Sequence, residues 1–167
     1  MKVLVAGASG LIGQALVRRL QADGDAVVRL SRRPGDAHVA VWDPSAGQLD
    51  AAALEGIEAV VNLAGESILG LWTTSKKARI RASRIDSTHL LSTVLAGLST
   101  PPQVLVNASA IGVYGERGDT VCDERTERGT GFLADVVSDW EAATAPAAAA
   151  GIRVVLPRIG MVLSPEG

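Results

Sequence analysis

Apolar residues recur along this chain in two rhythms. Short apolar runs, closed by Gly, Pro or polar residues, read as strands: "KVLVAG" (2–7), "AVVRLS" (26–31), "HVAVWD" (38–43), "IEAVVNLAG" (57–65), "QVLVNAS" (103–109) and "IRVVLPRIG" (152–160). Between them lie segments with helical spacing. Residues 11–24 carry Leu11, Ile12, Ala15, Leu16 and Leu20 and stop at Gly24. Residues 74–98 carry Ile80, Leu91, Val94, Leu95 and Leu98. Residues 132–150 carry Leu133, Val136, Val137 and Trp140, and Pro146 kinks this helix or ends its first part. Strands alternating with helices predict an α/β protein: a parallel sheet covered on both faces by right-handed crossovers. Residues 115–131, rich in Gly and charge, read as a long loop, and long loops in compact domains more often serve function than not.

Three glycines sharpen this. Gly7, Gly10 and Gly13 fall between the first strand and the first helix. Such a loop turns sharply, lets a pyrophosphate approach bare backbone, and feeds it to a helix N-terminus. The spacing is G-x-x-G-x-x-G, one residue off the standard fingerprint. Glycines kept for packing alone are the competing reading. The doubly wound Rossmann sheet, strand order 3-2-1-4-5-6, is the architecture expected, with a ligand crevice beside strands 1 and 4.

The second strand ends in Leu30-Ser31-Arg32-Arg33. An NAD site places an acidic residue there for the ribose 2′-hydroxyl. A hydroxyl and two guanidiniums suit a 2′-phosphate instead, so NADP (NADPH) is favoured over NAD. Two solvated loop arginines are the alternative.

Composition excludes more than it identifies. Of 167 residues 47% are apolar and 20% charged, an ordinary balance for one domain with a real core. A net charge of −2 gives no reason to expect nucleic acid or a membrane surface. Three Trp, one Tyr and one Phe are too few for a stacking platform. No apolar run approaches the roughly 20 residues of a membrane span. The single cysteine, Cys122, precludes an internal disulfide and fits a reducing, cytoplasmic setting. His38 and His89 have no neighbours at metal-ligand spacing, so no metal is expected.

Taken together, "VAGASGLIG", "NLAGE" (62–66), "NASAIGVYG" (107–115) and "RIGMVLSPEG" (158–167) resemble the extended, epimerase-like short-chain dehydrogenase/reductase superfamily. "LAGESI", "SRIDST", "SAIGVYG" and "DWEAA" resemble, more narrowly, its predicted nucleoside-diphosphate-sugar epimerases. The resemblance implies one NAD(P)-binding Rossmann domain over residues 1–167, with the C-terminal substrate-binding region absent. It implies that Gly7, Ser9, Gly10, Leu11, Ile12 and Gly13 hold the pyrophosphate, and that Ser31, Arg32 and Arg33 hold the 2′-phosphate. It places Asp43 where relatives contact adenine, although an Asp before Pro44 also reads as a turn residue. It places Leu63, Ala64 and Gly65 over the cofactor. Arg84 falls in a slot that is often Asn; it would serve an anionic ligand there, or belong to a basic face with Lys76, Lys77, Arg79 and Arg81. A homodimer and a small-molecule substrate are implied too.

Superfamily chemistry uses a Ser or Thr after the fifth strand and a Tyr-x-x-x-Lys pair on the following helix. The Lys lowers the Tyr pKa. Counting from Val113-Tyr114-Gly115, the Ser slot holds Ala110, beside Ser109, and the pair reads Asp135-x-x-x-Asp139. No lysine follows Lys77, and Tyr114 is the only tyrosine. Ser109 and Tyr114 remain as candidate catalytic groups. Asp135 and Asp139 form either a solvated helix face or, in a closed site, an acid. Two functions follow: an oxidoreductase or epimerase without the usual pair, or a non-catalytic dinucleotide-binding sensor or interaction module.

Overall fold

The computed structural model describes residues 1–164. Its centre is a seven-stranded sheet in the order β4-β3-β2-β1-β5-β6-β8, where β1 is Lys2–Ala6, β2 Ala26–Ser31, β3 Val39–Asp43, β4 Gln48–Leu49, β5 Ala59–Asn62, β6 Val104–Asn107 and β8 Arg153–Val155. Every pairing is parallel except β3 with β4. This is the doubly wound order read from the sequence, with one antiparallel edge strand added. A small second sheet pairs β7 (Ser109–Ala110) with β9 (Arg158–Ile159).

Alternate strand residues face opposite helices, as the two-residue period requires. Val3 and Val5 face α1 (Leu11–Ala22), packing with Val27, Leu16, Val17 and Leu20. Leu4 and Ala6 face the larger core beneath α2 (Thr74–Ala96) and α4 (Ala145–Ala149), among Trp42, Leu54, Val60, Leu91, Leu95, Leu105 and Ala147. On the α1 side the sheet is covered less completely beyond β5, where Val106 is half-buried and Val155 exposed.

Two expected elements are subdivided. The helix read over 132–150 is α3 (Phe132–Ala142) followed by α4, with Pro146 in the first turn of α4. The break at Ala143-Thr144 therefore precedes the proline, which sits in a first turn where its missing N–H costs no helical hydrogen bond. The strand read over 152–160 is split into β8 and β9 at Leu156-Pro157, since proline brings no N–H to a ladder.

At the C-terminal ends of β5 and β6 a buried polar cluster interrupts the apolar core. Asn62 Nδ2 donates to Thr88 Oγ1 (3.0 Å) and Asn107 Oδ1 (2.6 Å). Thr88 Oγ1 donates to Asn107 Oδ1 (3.2 Å) and accepts from Trp140 Nε1 (2.9 Å). Asn62 Oδ1 accepts from the Ala64 amide (3.2 Å), the first step of the loop leaving β5. Every member is satisfied, so the cluster rigidifies rather than destabilises. Replacing Thr88 with Val keeps the shape but leaves the Trp140 and Asn62 N–H groups without this partner. The expected loss is about 2–4 kcal/mol in urea denaturation, more than for Val at an exposed helical position.

Candidate functional site

The three glycines of the first loop have different physical causes. Gly7 has φ +76°, and a Cβ there would lie 2.6 Å from the Leu63 carbonyl carbon and 2.9 Å from the Ala64 amide nitrogen. A Cβ on Gly13 would lie 2.2 Å from Gly7 O. Both are compelled by the close approach of β1, α1 and β5. Gly10 is not: its φ is −79°, and a Cβ would make only an ordinary 3.5 Å contact with Gly7 O. It is exposed, and it is the residue that enters α1. No side chain caps α1, and its first turn holds no acidic residue. The opening amides, Leu11 to Gly13, thus present N–H groups and a partial positive charge to the crevice. Ser9, exposed, contributes its carbonyl to Gln14 Nε2 (2.7 Å), which steadies the loop.

Beside this loop β2 ends. Ser31 Oγ accepts from the Arg33 amide (3.1 Å), so the hydroxyl shapes the turn. The Arg32 and Arg33 guanidiniums are exposed and have no acceptor among the described residues, whereas Arg29 pairs with Asp36 (2.6 Å). Asp43 accepts from Ser45 and Ala46, capping the turn after β3. Its pKa lies below the ordinary Asp value, chiefly through the Ser45 hydroxyl and the Ala46 amide, with a smaller contribution from the charge of Arg32. A cavity of about 420 Å³ adjoins that turn, lined by Pro44, Gly47, Ile85, His89, Leu90 and Thr93 with Asp86.

On the other side of β1, the loop leaving β5 is tied to α2. Leu63 and Ala64 are half-buried against Gly7, and Gly65 is exposed. Arg84 reaches under Gly65 and donates to Glu66 O (3.0 Å) and Ile80 O (3.2 Å). The Glu66 amide donates to Ser83 Oγ (2.9 Å). Arg84 is therefore separated from the basic surface: Lys76 and Arg79 engage the Glu66 carboxylate, and Arg81 pairs with Asp139.

The third part of the crevice edge is the β7–β9 sheet. Here the two candidate catalytic hydroxyls turn inward. Ser109, 2% exposed, donates to Glu141 Oε1. Tyr114 OH accepts from Arg158 Nη1 (3.0 Å), and the guanidinium lies 5.2 Å from the Tyr114 ring centroid. Arg158 also grips Glu141 with two bonds, Nε to Oε1 (3.0 Å) and Nη2 to Oε2 (3.1 Å). Glu141 and Arg158 escaped sequence reading because their spacing of 17 residues follows no local period. The only signal was a charge inside the apolar run "VVLPRIG". Burial pushes the Glu141 carboxyl up, but hydrogen bonds from Arg158 and Ser109 outweigh it and leave the pKa below the ordinary Glu value. The Arg158 pKa is raised, by Glu141 first and then Tyr114. Among the described residues no group of three or more His, Cys, Asp or Glu could hold a metal ion.

The model of the NAD dependent epimerase/dehydratase family matches residues 3–166. The chain belongs to that family. Epimerase family protein MT2273 of Mycobacterium tuberculosis is 47% identical over 169 residues, which cover 99% of this chain and 55% of the relative. The human epimerase family protein SDR39U1 is 34% identical, across 100% of this chain and 56% of its own. The chain thus spans little more than half the length of these curated relatives. Among solved structures, human SDR39U1 (isoform 2) with NADPH superposes with a TM-score of 0.86 at 32% identity, covering 100% of this chain and 56% of that one. A nucleoside-diphosphate sugar epimerase from Corynebacterium glutamicum gives a TM-score of 0.88 at 39% identity, covering 100% and 35%.

α3 turns apolar residues toward the segment after β7. A Cβ on Gly112 would touch Leu133 Cβ (3.4 Å) and Val137 Cγ2 (3.9 Å). The two α3 positions one turn apart that face the segment after β7 are therefore Leu133 and Val137. Asp135 instead pairs with Arg128 (2.6 Å) and Asp139 with Arg81, both partly exposed. No Tyr-x-x-x-Lys is present in the sequence.

Replacing Glu141 with Gln should destabilise the chain by about 1–2 kcal/mol at neutral pH. A carboxyl with a lowered folded pKa contributes stability above its unfolded value, 4.5, and loses it as the pH falls through the folded value. Urea midpoints of the two proteins should thus converge as the pH is lowered below about 4.

Proposed function

We propose that this epimerase-family chain binds NADP(H), with the pyrophosphate on the Gly7–Gly13 loop and the 2′-phosphate on Arg32 and Arg33. The observation that carries the reading is Gly10. Protein packing accounts for Gly7 and Gly13 but not for Gly10, which stands exposed at an uncapped helix N-terminus. A bare backbone there suits a phosphate that must approach closely. Two exposed guanidiniums at the end of β2, with no hydrogen-bond or ion-pair partner among the described residues, support a 2′-phosphate over a 2′-hydroxyl. Asp43 and the apolar slot beside Pro44 suit the adenine end, and Leu63, Ala64 and Gly65 admit the far ribose. The human relative was solved with NADPH, which agrees with this choice.

The bound cofactor supplies hydride chemistry, and the protein supplies position and field. The chemistry proposed for the protein is therefore oxidoreductase- or epimerase-like. A second reading, a dinucleotide-binding sensor without turnover, is favoured by one set of contacts. Leu133 and Val137, which α3 turns toward Gly112, are apolar, and Ser109 and Tyr114 already engage Glu141 and Arg158. In this reading Ser109 and Tyr114 position β7 and β9. NADPH oxidation against a panel of carbonyl compounds and nucleotide sugars separates the two, since tight binding without turnover supports the sensor.

NADPH at a hundred times its Kd should stabilise the chain by about 2.7 kcal/mol, seen as a raised Tm, with a smaller rise for NADH. Arg32→Ala should weaken NADPH binding at least about tenfold and leave NADH nearly unchanged. Equal losses for both would show that Arg32 does not read the 2′-phosphate. Gly10→Ala should leave the Tm of the free chain within about a degree, yet reduce NADPH affinity; a folded protein with undiminished affinity contradicts the loop assignment.

A further inference from the structure

Three arginines gather where β2 gives way to the loop toward β3: Arg29 within the strand, Arg32 and Arg33 just beyond it. The protein pairs one and leaves two. Arg29 Nη2 donates to Asp36 Oδ2 (2.6 Å), whereas Arg32 and Arg33 have no acceptor among the described residues. Asp36 does more than pair. Its Oδ1 accepts from the His38 amide (3.0 Å), and its carbonyl oxygen accepts from the Val39 amide (3.0 Å). The Arg29 amide donates to His38 O (2.8 Å), which ties the far end of the loop back to β2.

The loop is thus fastened at both ends. At its start the Arg33 amide donates to Ser31 Oγ (3.1 Å). At its end Asp36 is bound to β2 through Arg29 and to the start of β3 through Val39. Between the fastenings the ring of Pro34 fixes its φ. Gly35 lies so close to Val39 that a Cβ would come 2.8 Å from Cγ2. The Arg29 and Asp36 side chains are 42% and 59% exposed, so water and salt screen the pair and it adds little to global stability. Its effect is local. It restrains the segment that carries Arg32 and Arg33, and cations already in place lose less freedom when an anion arrives.

We propose that Asp36, through its ion pair with Arg29, is a positioning residue that presents Arg32 and Arg33 to a ribose 2′-phosphate and so sets the preference for NADP(H) over NAD(H). This rests on the dinucleotide reading above. Asp36 acts through the loop and not by touching the ligand. Charge alone predicts a different pattern. The field of the Asp36 carboxylate opposes a phosphate and the field of Arg29 favours one. If fields decided, removing the first charge would tighten NADPH and removing the second would weaken it. If positioning decides, both removals weaken NADPH alike, because either one opens the same staple.

The test measures Kd for NADPH and NADH by calorimetric titration of the whole chain carrying Asp36→Asn, Arg29→Met or both. Asn keeps an acceptor for the His38 amide and Met keeps an unbranched stem, so Tm of the free chain should stay within a few degrees. Each single variant should raise the NADPH Kd about three- to fivefold and leave NADH nearly unchanged. The double variant should be no worse than either single one. Arg29→Lys, which keeps a cation for Asp36, should restore most of the NADPH affinity. In a chain that already carries Arg32→Ala and Arg33→Ala, Asp36→Asn should change nothing further. Tighter NADPH binding by Asp36→Asn, equal losses for NADPH and NADH, or no change in either overturns the proposal. The dinucleotide reading survives those outcomes wherever Arg32→Ala still weakens NADPH. If the unaltered chain binds neither dinucleotide, that reading falls and the proposal falls with it.

Discussion

The structure hangs on the hydrogen-bonded cluster of Asn62, Thr88, Asn107 and Trp140. Four elements meet in it: the ends of β5 and β6, the middle of α2, and α3. An apolar core would tolerate small slips between these elements; a buried cluster with every donor matched does not. What lies above inherits that precision. Asn62 sets the exit of the β5 loop through Ala64, so Leu63 and Ala64 lie against Gly7 within less than a Cβ's distance. Trp140, held by its indole N–H, is the floor under Arg84, and Arg84 in turn holds the Gly65–Glu66 backbone. The crevice edge is rigid because its foundation is polar.

Along that edge the charges are unevenly matched. At the β2 end Arg32 and Arg33 are exposed without a hydrogen-bond or ion-pair partner among the described residues, and α1 opens with bare amides. At the β7–β9 end three carboxylates are answered within the protein: Glu141 by Arg158, Asp135 by Arg128, Asp139 by Arg81. An edge built this way is receptive to phosphates on one side and self-contained on the other. Arg84 stands between them, desolvated and unanswered. That asymmetry suits binding a dinucleotide better than it suits the usual acid–base step.

Much of the fold was legible because its signals are local. Gly7, with its positive φ, and the apolar run before it mark the first turn wherever the rest of the chain goes. The strand order followed from strand–helix alternation. Less of the site was legible, because its contacts join residues far apart in sequence. Nothing near Arg84 in the chain announces Trp140, and nothing near Ser109 announces Glu141 or Arg158. Nor does "DVVSDWE" announce that its two acids pair with Arg128 and Arg81. Gly112 lies against Leu133 and Val137 of the same helix. Pro157 divided a strand that its apolar pattern made continuous, since periodicity reports burial and not the supply of N–H donors.

The central claim is that an epimerase-family dinucleotide site spans the ends of β2, β1 and β5, with Gly10 as its point of closest approach. A crystal structure of this chain grown with saturating NADPH tests it most directly. The account predicts pyrophosphate oxygens at about 2.7–3.2 Å from the first amides of α1, directly over Gly10, and the 2′-phosphate on Arg32. NADPH seated elsewhere, such as in the cavity bounded by Ile111, Cys122 and Arg158, or a 2′-phosphate facing solvent away from Arg32, would contradict it.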